Sequence, residues 1–311
     1  MTLYCHVSLP DDERAALLDA RQPGDVFALK QDVPAAERQA HARHAEVIWG
    51  NVPADWLTNH PSLRWLQLNS AGLNPYNQLN WSRLPGVTVT NLREFFGQPC
   101  AETLLAGILA LYRGIVPLVR HQQNREWAGN EVRASVHLLS QKRALVLGAG
   151  AIGQTTGRLL EAFGCTVTYI RRSQAPTLTD LDALLPHADL VVMTLPETPD
   201  TRRLLHAGNL PLMKPGSLLA NIGRGSAIDE VALLDALTNG PLGGAVLDVT
   251  AVEPLPADSP LWQLPNVLLT QHTGGGYAGE KADQVRFFLD NLRRFRAGEA
   301  LLNQVDFGKG Y

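Results

Sequence analysis

Three polar residues of complementary chemistry each follow directly on a predicted β-strand: Arg224, Glu253 and His272. A guanidinium can grip a carboxylate through two parallel hydrogen bonds. A histidine can pass a proton near neutral pH, and a carboxylate beside it fixes its tautomer and favours its protonated form. Taken singly each residue is ordinary, because a lone arginine is more often a surface charge. With nine histidines in the chain, one beside the glycines at 274–276 is also expected. Placement carries the argument. Ligands of open α/β sheets bind outside the carboxyl ends of the strands, so all three side chains can converge on one crevice.

A second set of residues points to a phosphate-bearing ligand. Gly148, Gly150 and Gly153 follow an apolar run at 144–147 and precede a helical pattern at 154–163. In such a strand–turn–helix the first glycine allows a sharp turn and the second lets a diphosphate approach the main chain. The third lets the helix pack on the strand. Ala151 and Ile152 open the helix, whose first N–H groups and positive dipole end face the phosphates. The bland alternative is a glycine turn that serves packing alone. The next strand, 165–170, ends in Arg171, Arg172 and Ser173, with no carboxylate until Asp180. An acid there would bind a ribose 2′-hydroxyl; two guanidiniums and a hydroxyl suit a 2′-phosphate instead. The expected cofactor is therefore NADP(H), with NAD(H) possible, unless both arginines are only solvated charges.

The elements that must hold these residues follow from the pattern. Strands are predicted over 3–9, 26–29, 46–50, 63–68 and 87–90, with helices over 12–19, 35–44 and 53–59 between them. A strongly apolar helix is expected over 101–112, as an interdomain bridge or an oligomer contact, with Gly107 allowing a close neighbour. Further strands follow over 144–147, 166–170, 190–194, 218–222, 244–249 and 267–270, and a last helix over 281–297. This alternation predicts α/β architecture with two parallel-sheet domains, Rossmann-like or flavodoxin-like. The domains are expected at 1–97 plus 276–311 and at 98–275, the second inserted in the first.

Composition sets outer limits. At 311 residues, with 45% hydrophobic and 18% charged residues, the chain is expected to be a soluble two-domain protein. A formal charge of −3 gives no reason to expect nucleic acid or an anionic membrane as partner. Cys5, Cys100 and Cys165 are odd in number and lack a metal spacing, which predicts free thiols in a reducing cytoplasm and no metal. The amino terminus lacks the pattern of a signal peptide.

From residue 101 onward the chain resembles the D-isomer-specific 2-hydroxyacid dehydrogenases. The matching blocks are 148–153, 188–201, 221–230 and 247–256 with His272; the amino-terminal part matches only through 68–72. The resemblance implies that Arg224 binds the substrate carboxylate and polarises the 2-oxo group. It implies that His272 gives and takes the proton and that Glu253 pairs with it. Asp248 and the Ile222 backbone would touch the nicotinamide amide, and Leu195 and Pro196 would line the adenine pocket. Ser70, Ala71 and Gly72 would offer backbone N–H groups to the substrate carboxylate. The arginine pair, and the carboxyl-terminal 303–306 with Gly310 and Tyr311, are similar to the NADP-using glyoxylate and hydroxypyruvate reductases of the family.

The chain departs from the family pattern in two places. Gln271 stands where the family usually has proline, and glycines fill 274–276. The resemblance thus implies NADP-dependent reduction of a small 2-oxo acid by a cytoplasmic homodimer. Two other readings are an NAD(H)-sensing corepressor-like module and NAD-dependent oxidation of another small anion such as phosphite. A complete Arg224, Glu253 and His272 set disfavours a pure binder, and Glu253 argues against the formate dehydrogenase branch, which has glutamine there. Trp49, Asn51, Asn69, Asn74, Tyr76 and Tyr277 are candidates for the substrate pocket and equally for core or surface.

Overall fold

The computed structural model describes residues 1–73, Tyr76 and residues 79–307. The chain divides into two compact units, one of Met1–Phe95 with the chain from Tyr277 on, the other of Phe96–Gly276.

The first unit holds a five-stranded parallel sheet. Its strands are β1 (Thr2–Cys5), β2 (Val26–Leu29), β3 (Val47–Trp49), β4 (Trp65–Gln67) and β5 (Thr88–Thr90), in the order β2-β1-β3-β4-β5. Both faces are covered, and the period-two alternation of strand side chains sorts them into two cores. Leu3, Cys5, Val47, Trp49 and Trp65 face one side, with Leu17 of helix α1 (Asp11–Asp19). Tyr4, Ile48 and Leu66 face the other, with Ala42 of α2 (Arg38–His44) and Leu57 of α3 (Ala54–Leu57). The C-terminal helix, Glu280–Ala297, returns to the first of these faces. There the Phe288 ring stacks on Trp49 at 4.3 Å and on Trp65 at 5.1 Å. Beneath the rings a buried polar chain runs from the Trp65 indole to Thr90 Oγ1, on to Gln67 Oε1, which also accepts from Asn291 Nδ2. The predicted strand over 3–9 ends at Cys5; Val7 and Leu9 are buried without joining the ladder.

The second unit holds six parallel strands: β6 (Arg143–Leu147), β7 (Thr166–Ile170), β8 (Leu190–Met193), β9 (Ser217–Asn221), β10 (Leu242–Leu247) and β11 (Val267–Leu269). Their order is β11-β10-β9-β8-β6-β7, so the strand order, though not the strand direction, reverses between β6 and β8. Leu145, Leu147, Val191, Met193, Leu219 and Leu247 face one core; Ala144, Val146, Leu190, Val192, Ala220 and Val246 face the other. The second face is covered by α4 (Gly97–Tyr112). After α4 come α5 (Ile115–Asn124), α6 (Gly129–Ser135) and α7 (Ala151–Ala162). Helices α8 (Leu181–Leu184) and α9 (Glu230–Thr238) serve the first face.

Helix α4 begins at Gly97, four residues before the predicted start. Helix α5 is not apparent in the sequence, because Arg113 and Pro117 read as interruptions. Gly114 at φ +63° ends one helix, and Pro117 sits in the first turn of the next, where its missing N–H would have no partner anyway. Among the described residues no single helix is long and apolar enough to cross a membrane.

Gly107 is where α4 presses on the sheet. A Cβ there would stand 2.5 Å from Val246 Cγ1 and 3.2 Å from Leu268 Cδ2. The predicted close neighbour is thus the sheet itself. Replacing glycine by alanine gains about 1 kcal/mol of helix propensity, but overpacking against a rigid β-branched side chain costs about 1–3 kcal/mol. Gly107→Ala is expected to lower the urea midpoint, and Gly107→Ala with Val246→Ala to lose less than the two single costs summed. A Gly107→Ala protein as stable as the parent would refute this contact.

Candidate active site

The carboxyl ends of β9, β10 and β11 carry the acid, base and guanidinium within the second unit. His272 follows β11 in a left-handed turn: Gln271 has φ +54° and His272 φ +56°. A proline, fixed near −65°, cannot take the Gln271 conformation, so the departure at this position is what this turn requires. The His272 N–H donates to the Asp248 carbonyl at 2.6 Å. Its Nδ1 meets Glu253 Oε2 at 2.6 Å, while Glu253 Oε1 accepts the Thr250 N–H at 3.0 Å. Both carboxylate oxygens are engaged, one on the ring and one on the loop that carries it. With Nδ1 so held, Nε2 is the nitrogen left to exchange a proton with a substrate.

Asp248, buried at the end of β10, braces the histidine turn from below. Its Oδ1 accepts from Thr270 Oγ1 at 2.6 Å and from the Gly274 N–H at 3.0 Å. Arg224 follows β9, and its Nη1 donates to the Gly223 carbonyl at 2.6 Å. The fully buried Asn221 shapes that turn, donating from Nδ2 to the Arg224 carbonyl and accepting the Gly223 N–H, each at 3.0 Å. The Ile222 N–H belongs to the ladder and donates to Met193.

The glycine turn lies at the reversal of strand order, where β6 and β8 end side by side. Gly148 takes φ +105°, and Cβ atoms at Gly148 and Gly153 would run into Thr194 Oγ1 at 2.7 and 2.9 Å. The Thr194 hydroxyl donates to the Leu147 and Gly148 carbonyls at 3.2 and 3.3 Å. Gly150 is the N-cap of α7, no side chain caps that helix, and the space where its Cβ would stand is open. Leu195 packs on Gly148, and Pro196 lies in a loop tied by the buried Thr201, whose hydroxyl donates to the Pro196 carbonyl at 2.7 Å. Clearance for a diphosphate, bare helix N–H groups and an adjoining apolar loop fit a dinucleotide.

Arg171, Arg172 and Ser173 stand exposed at the end of β7, with the Arg171 guanidinium 5.2 Å from the Tyr169 ring centroid. The nearest downstream acid, Asp180, is spent on its own turn, accepting the Thr177 N–H at 2.8 Å.

In the first unit, Ser70, Ala71 and Gly72 form the turn after β4. Their carbonyls are held by the Leu92 N–H, Asn91 Nδ2 and Ser70 Oγ. Asn51 and Asn69 exchange backbone-to-side-chain bonds beside it, and Asn51 Nδ2 donates to Ser70 Oγ. Trp49 and Tyr76 are core residues, and the Tyr277 hydroxyl donates to Asp283. Asn74, Gly310 and Tyr311 lie outside the described residues. Burial pushes the thiols of Cys5 and Cys100 up to about 12, too high for a nucleophile. Among the described residues no group of three His, Cys, Asp or Glu side chains could hold a metal.

Residues 105–274 match the family described as D-isomer specific 2-hydroxyacid dehydrogenase, NAD binding domain. The chain belongs to the D-isomer specific 2-hydroxyacid dehydrogenase family. It is therefore an NAD(P)-dependent oxidoreductase. It is 34% identical over 270 residues to glyoxylate/hydroxypyruvate reductase B of Pectobacterium carotovorum, covering 83% of each chain. Two solved family structures align over 100% of this chain and 99% of theirs, each with a TM-score of 0.83. One, 30% identical, is the D-isomer specific 2-hydroxyacid dehydrogenase of Xanthobacter autotrophicus in complex with NADPH and MES. The other, 25% identical, is the NADPH-dependent glyoxylate/hydroxypyruvate reductase of Sinorhizobium meliloti in complex with NADP and sulfate.

Asn221, Thr194, Thr270 and Thr201 were not singled out in the sequence. All four act on the backbone or on other protein groups; Asn221, Thr194 and Thr270 stand at or just after a strand end, whereas Thr201 lies in the loop eight residues past β8.

Proposed function

We propose that this protein reduces a small 2-oxo acid, of the glyoxylate or hydroxypyruvate class, to the D-2-hydroxy acid with NADPH. The observation that carries the reading is the 2.6 Å pair of His272 Nδ1 and Glu253 at the strand ends that also present Arg224. Bound NADPH supplies the hydride to the substrate C2. Arg224 binds the substrate carboxylate and draws electron density toward the 2-oxo oxygen. His272 Nε2 donates the proton to that oxygen as it gains charge, and in oxidation takes it back. Glu253, bonded to Nδ1, fixes the orientation of the ring. Asp248 and the Ile222 backbone would hold the nicotinamide amide. Ser70, Ala71 and Gly72 would present N–H groups to the substrate carboxylate.

Selection of NADPH is assigned to Arg171, Arg172 and Ser173. Their exposure at the end of β7 and the engagement of Asp180 elsewhere support a 2′-phosphate seat. Gly148, Gly150 and Gly153, with the N–H groups of Ala151 and Ile152, would hold the diphosphate, and Leu195 with Pro196 the adenine. The two family structures that carry NADPH or NADP support the same choice. The domain of 98–275 would thus bind the cofactor, and that of 1–97 plus 276–311 the substrate.

A cytoplasmic homodimer completes the reading. The apolar face of α4 is used inside its own unit, so the dimer contact is assigned to the next segment, where Ile115, Val119, Trp127 and Leu138 are exposed.

His272→Ala is expected to lower kcat by about 10²–10⁴-fold with NADPH affinity nearly unchanged. Wild-type turnover in that variant would remove the acid/base assignment. Arg171→Asp should weaken NADPH by about tenfold or more, since a charge-assisted bond is lost and repulsion added, while leaving NADH nearly unaffected. An unchanged preference would count against the phosphate seat. Light scattering across micromolar concentrations should give twice the mass of one chain; a single-chain mass would exclude the dimer.

A further inference from the structure

The loop at 250–254, which carries Glu253, is anchored by a residue outside the set assigned above. Glu230 is the first residue of α9, six positions after Arg224. Its Oε1 accepts the Ala251 N–H at 2.6 Å. One residue earlier, the Thr250 N–H donates to Glu253 Oε1, and Thr250 Oγ1 donates to the Val252 carbonyl at 2.8 Å. Two successive N–H groups of the loop are therefore fixed, one by Glu253 itself and one by Glu230.

A separate contact points the same way. The turn after Arg224 lies directly on this peptide, since a Cβ at Gly225 would overlap the Thr250 carbonyl group and approach the Ala251 nitrogen. Glu230 is also not needed to cap its own helix. Asp229 does that, accepting the N–H groups of Val231 and Ala232 at 3.1 and 3.3 Å. Asp229 is in turn held by Arg203, whose hydrogen bond keeps its carboxyl below the usual carboxylate range. Glu230 thus stands on a fixed helix start with its carboxylate committed to the neighbouring loop.

We propose that Glu230 is a positioning residue that joins the Arg224 turn to the Glu253 loop and so keeps Glu253 aimed at His272. The proposal rests on the reading that Glu253 orients His272 for proton transfer. Without Glu230 the acid/base pair is intact in composition but its loop has lost one of two anchors. A shift of the carboxylate misdirects the imidazole, which slows the chemical step and leaves NADPH binding alone.

The test is a double-mutant cycle on the full chain, with glyoxylate and hydroxypyruvate as substrates and NADPH as reductant. Glu230→Ala should lower kcat by about tenfold with NADPH affinity and melting temperature nearly unchanged. Glu230→Gln, which keeps an acceptor oxygen, should return kcat to within about twofold of the parent. In a Glu253→Gln background Glu230→Ala should cost less than about twofold more, because a residue acting through Glu253 has nothing left to position. Wild-type kcat in Glu230→Ala, or a loss that multiplies fully onto that of Glu253→Gln, overturns the proposal and leaves the orienting role standing. Wild-type kcat in Glu253→Gln alone overturns that role and the proposal with it. If Glu230→Ala does not fold, Glu230→Asp, whose carboxylate is drawn back by one methylene, enters the same cycle with the same expected and overturning results.

Discussion

The site hangs on one buried carboxylate. Asp248 accepts from Thr270 Oγ1 and the Gly274 N–H with its side chain, accepts the His272 N–H with its carbonyl, and donates its own N–H to the Asn221 carbonyl at 2.9 Å. Burying a carboxylate is costly unless it is partnered, and here Oδ1 is partnered by groups that must be positioned. One residue thus ties the ends of β9, β10 and β11 together. It also explains how two successive residues, Gln271 and His272, persist with positive φ. Each such conformation costs of order 1 kcal/mol, and the bonds to Asp248 over-determine the turn.

The two halves of the second unit are built on opposite principles. Around Gly148, Gly150 and Gly153 the sequence works by leaving side chains out, so that backbone meets backbone and space stays open at the helix start. Around His272 it works by crowding polar groups that hold one another. Thr194 stands on the border, its hydroxyl filling the space that two glycines make available. A family resemblance read from glycines alone would cover only the first half. Glu253, His272 and Arg224, to which the proposed chemistry is assigned, stand in the second.

Much of this was legible in the sequence because parallel strands covered on both faces are near-continuous apolar runs, and a polar residue just past such a run stands out. Arg224, Glu253 and His272 stand out in this way. Val7 and Leu9 misled because burial does not require a place in the ladder. Helix α5 was hidden by Pro117, since a composition rule does not know that a first-turn proline loses nothing. Trp49 and Tyr76 look like pocket residues until packing shows them in the core. What Thr270 and Glu230 bond to was not legible, because their partners lie 22 and 21 residues away and are backbone or acid groups common everywhere in the chain.

The first unit closes its core with a ring from the far end of the chain. Phe288 fills the space over Trp49 and Trp65, yet it is made 223 residues after Trp65. At ~5–20 residues per second a ribosome needs roughly 10–45 s to cover that distance, while the second unit, contiguous in sequence, can be completed in between. For that interval two indole faces wait uncovered in the nascent chain. A transcript cut short before the last helix would leave them so permanently, marking the product for the chaperones and proteases that respond to exposed apolar surface. The helix Glu280–Ala297 is therefore what shields the two indoles.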